Sequence, residues 1–326
     1  MLTIPEIDNL ARGFMAARII LTGVELDLFG TVDESAITAH DLAQALNTDP
    51  RATELLADAL VALDLLEKEN GRYRNTPPAF KYLSARSARY RGGGLRHLVN
   101  LWNSWDRLTE VVRRGGPAGL PRTDVSRTAF VEAMEHFAKG VAERVAQAVD
   151  LSGVTRLLDL GGGPGSYAIA LAKKYPALEA VVFDLPYALE IARLAIDEAG
   201  LSDRVTIQPG DYNTDPLGKD YGAVLLSAII HSLDETENRH LLEKIREALS
   251  PNGLLIIRDF LVDDTHTQPQ QAALFAVNML VNTPGGKTYS FNEVAAWLTQ
   301  LGFKKILQED IDGRSQLILA RKTGDR

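Results

Sequence analysis

The 326-residue chain predicts an α/β protein. A mostly parallel sheet wrapped by helices follows a helical half with a winged-helix pattern. Three observations predict it. From residue 153, strand-length apolar runs alternate with helical patterns. Strands separated by helices make a parallel sheet covered on both faces. The last run is followed by a strand–turn–strand hairpin, so the sheet closes antiparallel. Before residue 100, apolar residues recur at the three- and four-residue spacing of amphipathic helices.

In the first half, Leu10, Phe14, Ala17 and Leu21 put an apolar stripe on one helix. Thr38-Ala-His-Asp41 is a capping-box-like start, followed by Leu42, Leu46 and a break at Asp49-Pro50. A further helix is predicted from Arg51 to Leu66, with Leu55, Leu56, Ala59, Leu60 and Leu63 inward. The stretch from Leu65 to Tyr73 is a hairpin turning at Asn70-Gly71. Three helices and a hairpin make a winged helix over 1–100. A helical connector occupies 101–150. It has Trp102, Trp105 and Leu108 on one helix, then a long helix from Val125 to Asp150. The α/β domain occupies 151–326. Its strands are predicted at 155–160, 180–184, 205–208, 223–227 and 254–259, and its hairpin joins 304–309 to 316–320 around Asp312-Gly313.

Composition excludes several classes. The chain is 45% hydrophobic and 24% charged, which suits a globular protein with substantial cores. It has no cysteine, hence no disulfide frame and no thiolate chemistry. The net charge of −8 opposes nucleic-acid binding, which needs a basic footprint. Residues 1–100 carry 11 Lys/Arg against 13 Asp/Glu, and the helix from Arg51 to Leu66 has Arg51 against Glu54, Asp58 and Asp64. A ligand-sensing transcriptional regulator, the reading of another class, is therefore disfavoured, and the winged helix is read as structural. No basic n-region precedes an apolar block at the start, so no signal peptide is expected. The longest apolar stretch, 223–233, is broken by Ser227 and His231 and is too short to span a bilayer. A cytoplasmic protein without membrane partners is expected. The histidines at 40, 97, 136, 231, 240 and 266 show no ligand-like spacing, so no metal is expected.

The strongest local signal is Leu157-Leu-Asp159-Leu-Gly161-Gly-Gly163-Pro-Gly165-Ser-Tyr167. A strand runs into glycines and then into a helix whose N-terminus offers free N–H groups. A G-x-G-x-x-G loop also fits NAD enzymes, but here the sixth position is Ser166. The D-x-G-x-G-x-G pattern suits a ligand without a pyrophosphate. Asp184 ends the next strand, where an acid accepts hydrogen bonds from ribose hydroxyls. Asp211-Tyr212 follows the third strand, where a carboxylate and a ring would hold an adenine. All lie at C-terminal strand ends, the ligand edge of such sheets.

With these residues the second half resembles a class I S-adenosylmethionine-dependent methyltransferase. The whole chain resembles the two-domain small-molecule O-methyltransferases of the caffeate and hydroxyindole type, which include bacterial enzymes of antibiotic and pigment biosynthesis. The likeness runs from Ala17–Phe29 to Gly302-Phe303. It implies a seven-stranded Rossmann-like sheet with an antiparallel last strand, an N-terminal winged-helix dimerisation domain and a homodimer. It implies that Asp159, Gly161, Gly163, Asp184, Leu185, Asp211 and Tyr212 hold S-adenosylmethionine and its product S-adenosylhomocysteine, with Ser227 near the methionine end.

Ile229-Ile-His231-Ser-Leu-Asp-Glu is similar to the family's histidine motif, usually written H-D-W. The resemblance implies that His231 is a general base, a task that suits imidazole near neutral pH. The Asp of that motif is Ser232 here. The family brackets its histidine with two acids. The first falls on Asp259, a shorter carboxylate with less reach; the second falls on the uncharged Thr288. A C-methyltransferase, or a non-methylating enzyme on the same fold, is the alternative reading. The acceptor, a small flat phenol or enol, is expected among Phe130, Met134 and Phe137 on the long helix and Asn278, Met279 and Asn282 before Pro284-Gly-Gly. Asn278 and Asn282, four apart, share a helix face.

Overall fold

The computed structural model describes residues 1–32, 36–117, 131, 133–135, 137–138 and 140–324. The chain divides into two compact units, Met1–Trp102 and Asn103–Arg326.

The first unit contains α1 (Ile4–Glu25), α2 (Leu28–Val32), β1 (Ile37–Thr38), α3 (Ala39–Leu46), α4 (Pro50–Ala62), β2 (Leu66–Glu69), β3 (Arg72–Asn75), α5 (Pro77–Leu83) and most of α6 (Gly92–Trp105). The cap at Thr38 is the one the sequence announces, and the break at Asp49-Pro50 is itself a helix start. The Thr38 hydroxyl accepts the Asp41 N–H at 3.2 Å, and the Asp49 carboxylate accepts the Ala52 N–H at 2.8 Å. Asn70 and Gly71 turn the hairpin at φ 48° and 74°, as a two-residue turn between twisted strands requires. The structure adds β1, which pairs antiparallel with β3 and gives the sheet order β1-β3-β2. Two residues are too short to show a period of two. Leu28, Phe29, Leu42, Leu60, Leu66 and Tyr73 form the core. Asp58 on α4 accepts from Tyr73 and Lys68, both at 2.7 Å, which ties the hairpin to the helix. The Lys68 ammonium holds the Asp58 carboxyl below its usual range.

The apolar stripe of α1 is only partly used within this unit. Leu21 and Val24 are buried, whereas Ile4, Ile7, Leu10, Phe14 and Met15 are exposed.

The second unit contains α7 (Leu108–Arg114), α8 (Val141–Ala148), β4 (Arg156–Leu160), α9 (Ser166–Lys174), β5 (Glu179–Asp184), α10 (Pro186–Glu198), β6 (Val205–Pro209), β7 (Tyr221–Ser227), α11 (Glu235–Ala248), β8 (Leu249–Asp259), α12 (Gln270–Asn282), α13 (Phe291–Gln300), β9 (Phe303–Asp310) and β10 (Gln316–Lys322). The seven strands run in the order β6-β5-β4-β7-β8-β10-β9. β4 to β8 are mutually parallel, and β10 is antiparallel to both β8 and β9. Neighbouring residues on a strand face opposite layers, so the buried strands read as unbroken apolar runs. Leu157, Leu225 and Ile256 pack under Val145, Leu171 and Ile196. Leu158, Leu226 and Ile257 pack under Leu241, Ile245 and Trp297. Each such side chain contributes about 1.5–3 kcal/mol by leaving water.

The single long helix predicted from Val125 to Asp150 is interrupted. Gly140 takes φ 80° and a new helix starts at Val141. A left-handed residue ends one helix, and the apolar spacing across 130–145 conceals the break. Among the described residues, no helix is long and apolar enough to cross a membrane.

Candidate functional site

Strand order reverses outward from β4, with β5 on one side and β7 on the other. At such a switch point the loops diverge and leave a crevice at the carboxyl ends. Asp159, Gly161, Asp184, Ser227 and Asp259 all lie on that edge.

Asp159 is fully buried near the end of β4. One carboxylate oxygen accepts the Ala168 N–H at 3.1 Å; the other has no partner among the described residues. Burial pushes its pKa up to about 7, with Asp184 adding a smaller upward push. Gly161 follows at φ 67°, and a Cβ there would stand 2.5 Å from the Ile229 Cδ1. The loop after β4 therefore lies against the segment after β7, and an alanine there would be strained by the positive φ and would push the Ile229 side chain aside. Asp184 accepts the Gly163 N–H and the Leu185 N–H, both at 2.7 Å, one on each oxygen. It thus holds the glycine loop, and burial raises its pKa. Each oxygen keeps a second lone pair.

Beyond β6, the Asp211 carboxylate accepts the Asn213 N–H at 2.9 Å, and the Asp211 N–H donates to Asp215 at 2.8 Å. Tyr212 is half-buried, and burial raises its pKa. Lys244 on α11 donates to the Tyr212 and Asp215 carbonyls at 2.5 and 2.9 Å. It staples this loop, and nothing in the sequence pattern marks it.

The chain leaves β7 through Ala228 at φ 59°, whose N–H donates to the Arg258 carbonyl at 2.8 Å. A left-handed alanine costs about 1–2 kcal/mol. That turn delivers His231, which is 8% exposed. Its Nδ1 stands 2.6 Å from Asp259 Oδ1, an oxygen that also accepts the Phe260 N–H at 2.7 Å. The shorter carboxylate therefore reaches the imidazole directly. The segment is clamped from behind. Asn238 donates to the Ile230 and Leu233 carbonyls at 2.9 and 3.2 Å, and the Tyr289 hydroxyl to Leu233 at 2.7 Å. Gly286 explains the glycine pair after Pro284: a Cβ there would meet the His231 carbonyl at 2.4 Å. Thr288 is buried, and its hydroxyl has no partner among the described residues. The Ser232 hydroxyl donates back to the Ile229 carbonyl at 2.7 Å.

Aromatic rings surround the imidazole. Phe275 meets it edge-on at 4.9 Å, Phe260 lies at 6.1 Å, and the two phenylalanines stand 4.8 Å apart. The sequence reading missed both; they become neighbours of His231 only through the turn after β8 and the packing of α12. Of the expected acceptor residues, Met279 is buried, Met134 half-buried and Phe137 exposed. Phe130 lies outside the described residues. Asn278 and Asn282 turn toward each other: the Asn282 amide donates to the Asn278 carbonyl at 2.8 Å. Trp105 Nε1 donates to the Asn278 side chain at 2.9 Å. Ser227, the last residue of β7, is half-buried. Among the described residues, no cluster of three or more His, Cys, Asp or Glu is arranged for a metal ion.

A family model described as the O-methyltransferase domain matches residues 119–304, and one for the O-methyltransferase dimerisation domain matches 8–85. The chain is similar to 3-hydroxy-5-methyl-1-naphthoate 3-O-methyltransferase of Streptomyces sahachiroi, at 36% identity over 91% of this chain and 89% of that one. It is also similar to the tetracenomycin polyketide synthesis 8-O-methyl transferase TcmO of Streptomyces glaucescens, at 31% identity over 97% and 96%. Among solved structures, human N-acetylserotonin methyltransferase in complex with SAM matches with a TM-score of 0.86 and 26% identity, covering 97% of this chain and 96% of that one.

Proposed function

We propose, from the premise that this chain belongs to the S-adenosylmethionine-dependent O-methyltransferase family, that it methylates a phenolic or enolic hydroxyl of a small flat metabolite with His231 as general base. The observation that carries this reading is the contact of 2.6 Å between His231 Nδ1 and Asp259. With Nδ1–H donated to the carboxylate, Nε2 keeps the lone pair that takes the hydroxyl proton. Asp259 is the positioning residue and stabilises the imidazolium that follows.

The residues present fit the cofactor. Asp184 offers two spare lone pairs to a ribose diol. Asp159 offers an unpartnered acceptor to an ammonium group. A Cβ on Gly163 would meet nothing within 4 Å, so that side of the loop is open to a ligand. Tyr212, Asp211, Leu185 and Ser227 complete the proposed set. When bound, the cofactor supplies an activated methyl on a sulfonium that also serves as leaving group. The protein's share is to align the acceptor hydroxyl, exclude water and take one proton. Phe260 and Phe275 offer apolar walls to a flat ring. Met134, Met279, Asn278 and Asn282 are assigned to the acceptor pocket, together with Phe137 and Phe130. The relatives named above methylate hydroxyls of aromatic and polyketide molecules, which supports a phenol as acceptor.

Methyl-labelled S-adenosylmethionine offered with hydroxynaphthoates and their methoxy counterparts tests this reading. Label is expected on oxygen in the former, with the latter inert. Label on carbon, or equal label on both series, would sink it.

We assign homodimerisation to the first unit. The exposed stripe Ile7, Leu10, Phe14 on α1 is more apolar surface than an isolated small unit leaves to water, and closed twofold pairing is the commonest way to cover such a stripe. Sedimentation at micromolar concentration should give about twice the chain mass. A monomer with full activity would exclude the dimer.

A further inference from the structure

Arg258 is a charged side chain that the scheme above leaves unused. It is 8% exposed. Its Nε is enclosed without a hydrogen-bond partner, and among the described residues no carboxylate forms an ion pair with its guanidinium. It sits at the ligand edge of the sheet. Its backbone pairs with Ser227, and its carbonyl holds the strained Ala228. Because strand residues alternate, Arg258 faces the layer opposite to Asp259. The guanidinium carbon stands 4.8 Å from the centroid of the Phe260 ring. That ring packs in turn on Phe275, which touches His231. The Arg258 charge also acts on the buried Tyr167.

Among the described residues no side chain pairs with this charge. Asp312 feels it, but that carboxylate is committed to its own turn through the Arg314 and Ser315 N–H groups at 3.0 and 2.7 Å. Its other oxygen stands 3.4 Å from Arg144. The Arg258 Nε is enclosed, whereas its terminal nitrogens are not, so they are left to meet an anion, and an enclosed charge is stabilised when one pairs with it. A guanidinium presents a planar fork of donors, which matches a carboxylate better than any other small anion of metabolism except phosphate. The D-x-G-x-G-x-G loop already points away from a phosphate-bearing ligand.

We propose that Arg258 anchors a ligand carboxylate at the rim of β7 and β8, one aromatic ring away from His231. The proposal rests on the methyl-transfer reading. Two ligands of that reaction can carry the group: the amino-acid part of the cofactor, and an aromatic acid serving as acceptor.

Calorimetry with two matched pairs separates these sources. S-adenosylhomocysteine is compared with its decarboxylated analogue, which keeps the nucleoside, thioether and ammonium but lacks the carboxylate. 3-Hydroxy-2-naphthoate is compared with 2-naphthol on the protein saturated with S-adenosylhomocysteine. Wild type should bind the acid of at least one pair tenfold or more tighter than its carboxylate-free counterpart. Arg258→Gln should shrink that gap to within about threefold and leave binding of the carboxylate-free member unchanged, which also serves as the control for folding. Arg258→Lys keeps the charge without the fork and should retain part of the gap; it carries the test if the Gln variant does not fold. Collapse in the first pair assigns the cofactor, and collapse in the second assigns the acceptor. A gap absent from wild type in both pairs, or untouched by either substitution, overturns the proposal. Failure of the methyl-transfer reading is distinct, since wild type would then bind neither S-adenosylhomocysteine nor its decarboxylated analogue.

Discussion

Replacing His231 with Ala is expected to lower kcat by about 10²–10⁴-fold, the usual contribution of a positioned general base. S-adenosylhomocysteine affinity should stay within about twofold. The two readouts separate because, among the described residues, no cofactor residue of β4 or β5 bonds the imidazole; His231 is tied to Asp259 and walled by Phe260 and Phe275. Asp259→Asn is the companion. It keeps the imidazole but weakens the partner that fixes Nδ1–H, so its kcat should fall less than that of His231→Ala while affinity is preserved. Near-full activity of His231→Ala on the native acceptor would mean that alignment alone carries the transfer, or that the acceptor arrives ionised. The base assignment would then be dropped, and the family membership would stand.

Asp184→Ala should weaken S-adenosylhomocysteine by at least tenfold in calorimetry. A hydrogen bond to a carboxylate is worth about 1.5–3 kcal/mol, and one such bond accounts for the tenfold. A second effect adds to it. The Gly163 and Leu185 N–H groups lose their acceptor, so the glycine loop loses a brace. Asp184→Asn separates the two effects, because its amide oxygen can still accept from one N–H while the charge is gone. Wild-type affinity in both variants would remove Asp184 from the site.

Much of this architecture is visible in the sequence because burial on both faces writes itself into the chain. Leu157-Leu158, Leu225-Leu226 and Ile256-Ile257 each send one side chain to either layer, so the strands appear as apolar runs. The acids at 159, 184, 211 and 259 stand out because each interrupts or ends such a run. What stays hidden depends on contacts between distant residues. Lys244 reaches the Tyr212 carbonyl across 32 positions, and Trp105 reaches Asn278 across 173. Neither leaves a local period. The break at Gly140 hides because the apolar spacing continues on both sides of it. Arg258 hides for another reason: within Ile256-Ile-Arg-Asp259 it looks like the first polar residue of a strand leaving its core, yet it is enclosed.

The place of β10 bears on how the domain is made on the ribosome. β10 is the last strand in chain order, yet it lies between β8 and β9, with Gln316 opposite Asp259. While a nascent chain has β8 but not β10, the edge of β8 is an open row of N–H and C=O groups, a template for wrong partners. β9 cannot close that edge itself, because β10 intervenes. Joining the sheet across this gap is a late, long-range event of the kind that slows folding and exposes intermediates to aggregation. The strand that carries Asp259 is therefore among the first to be synthesised in its half of the sheet and among the last to be shielded.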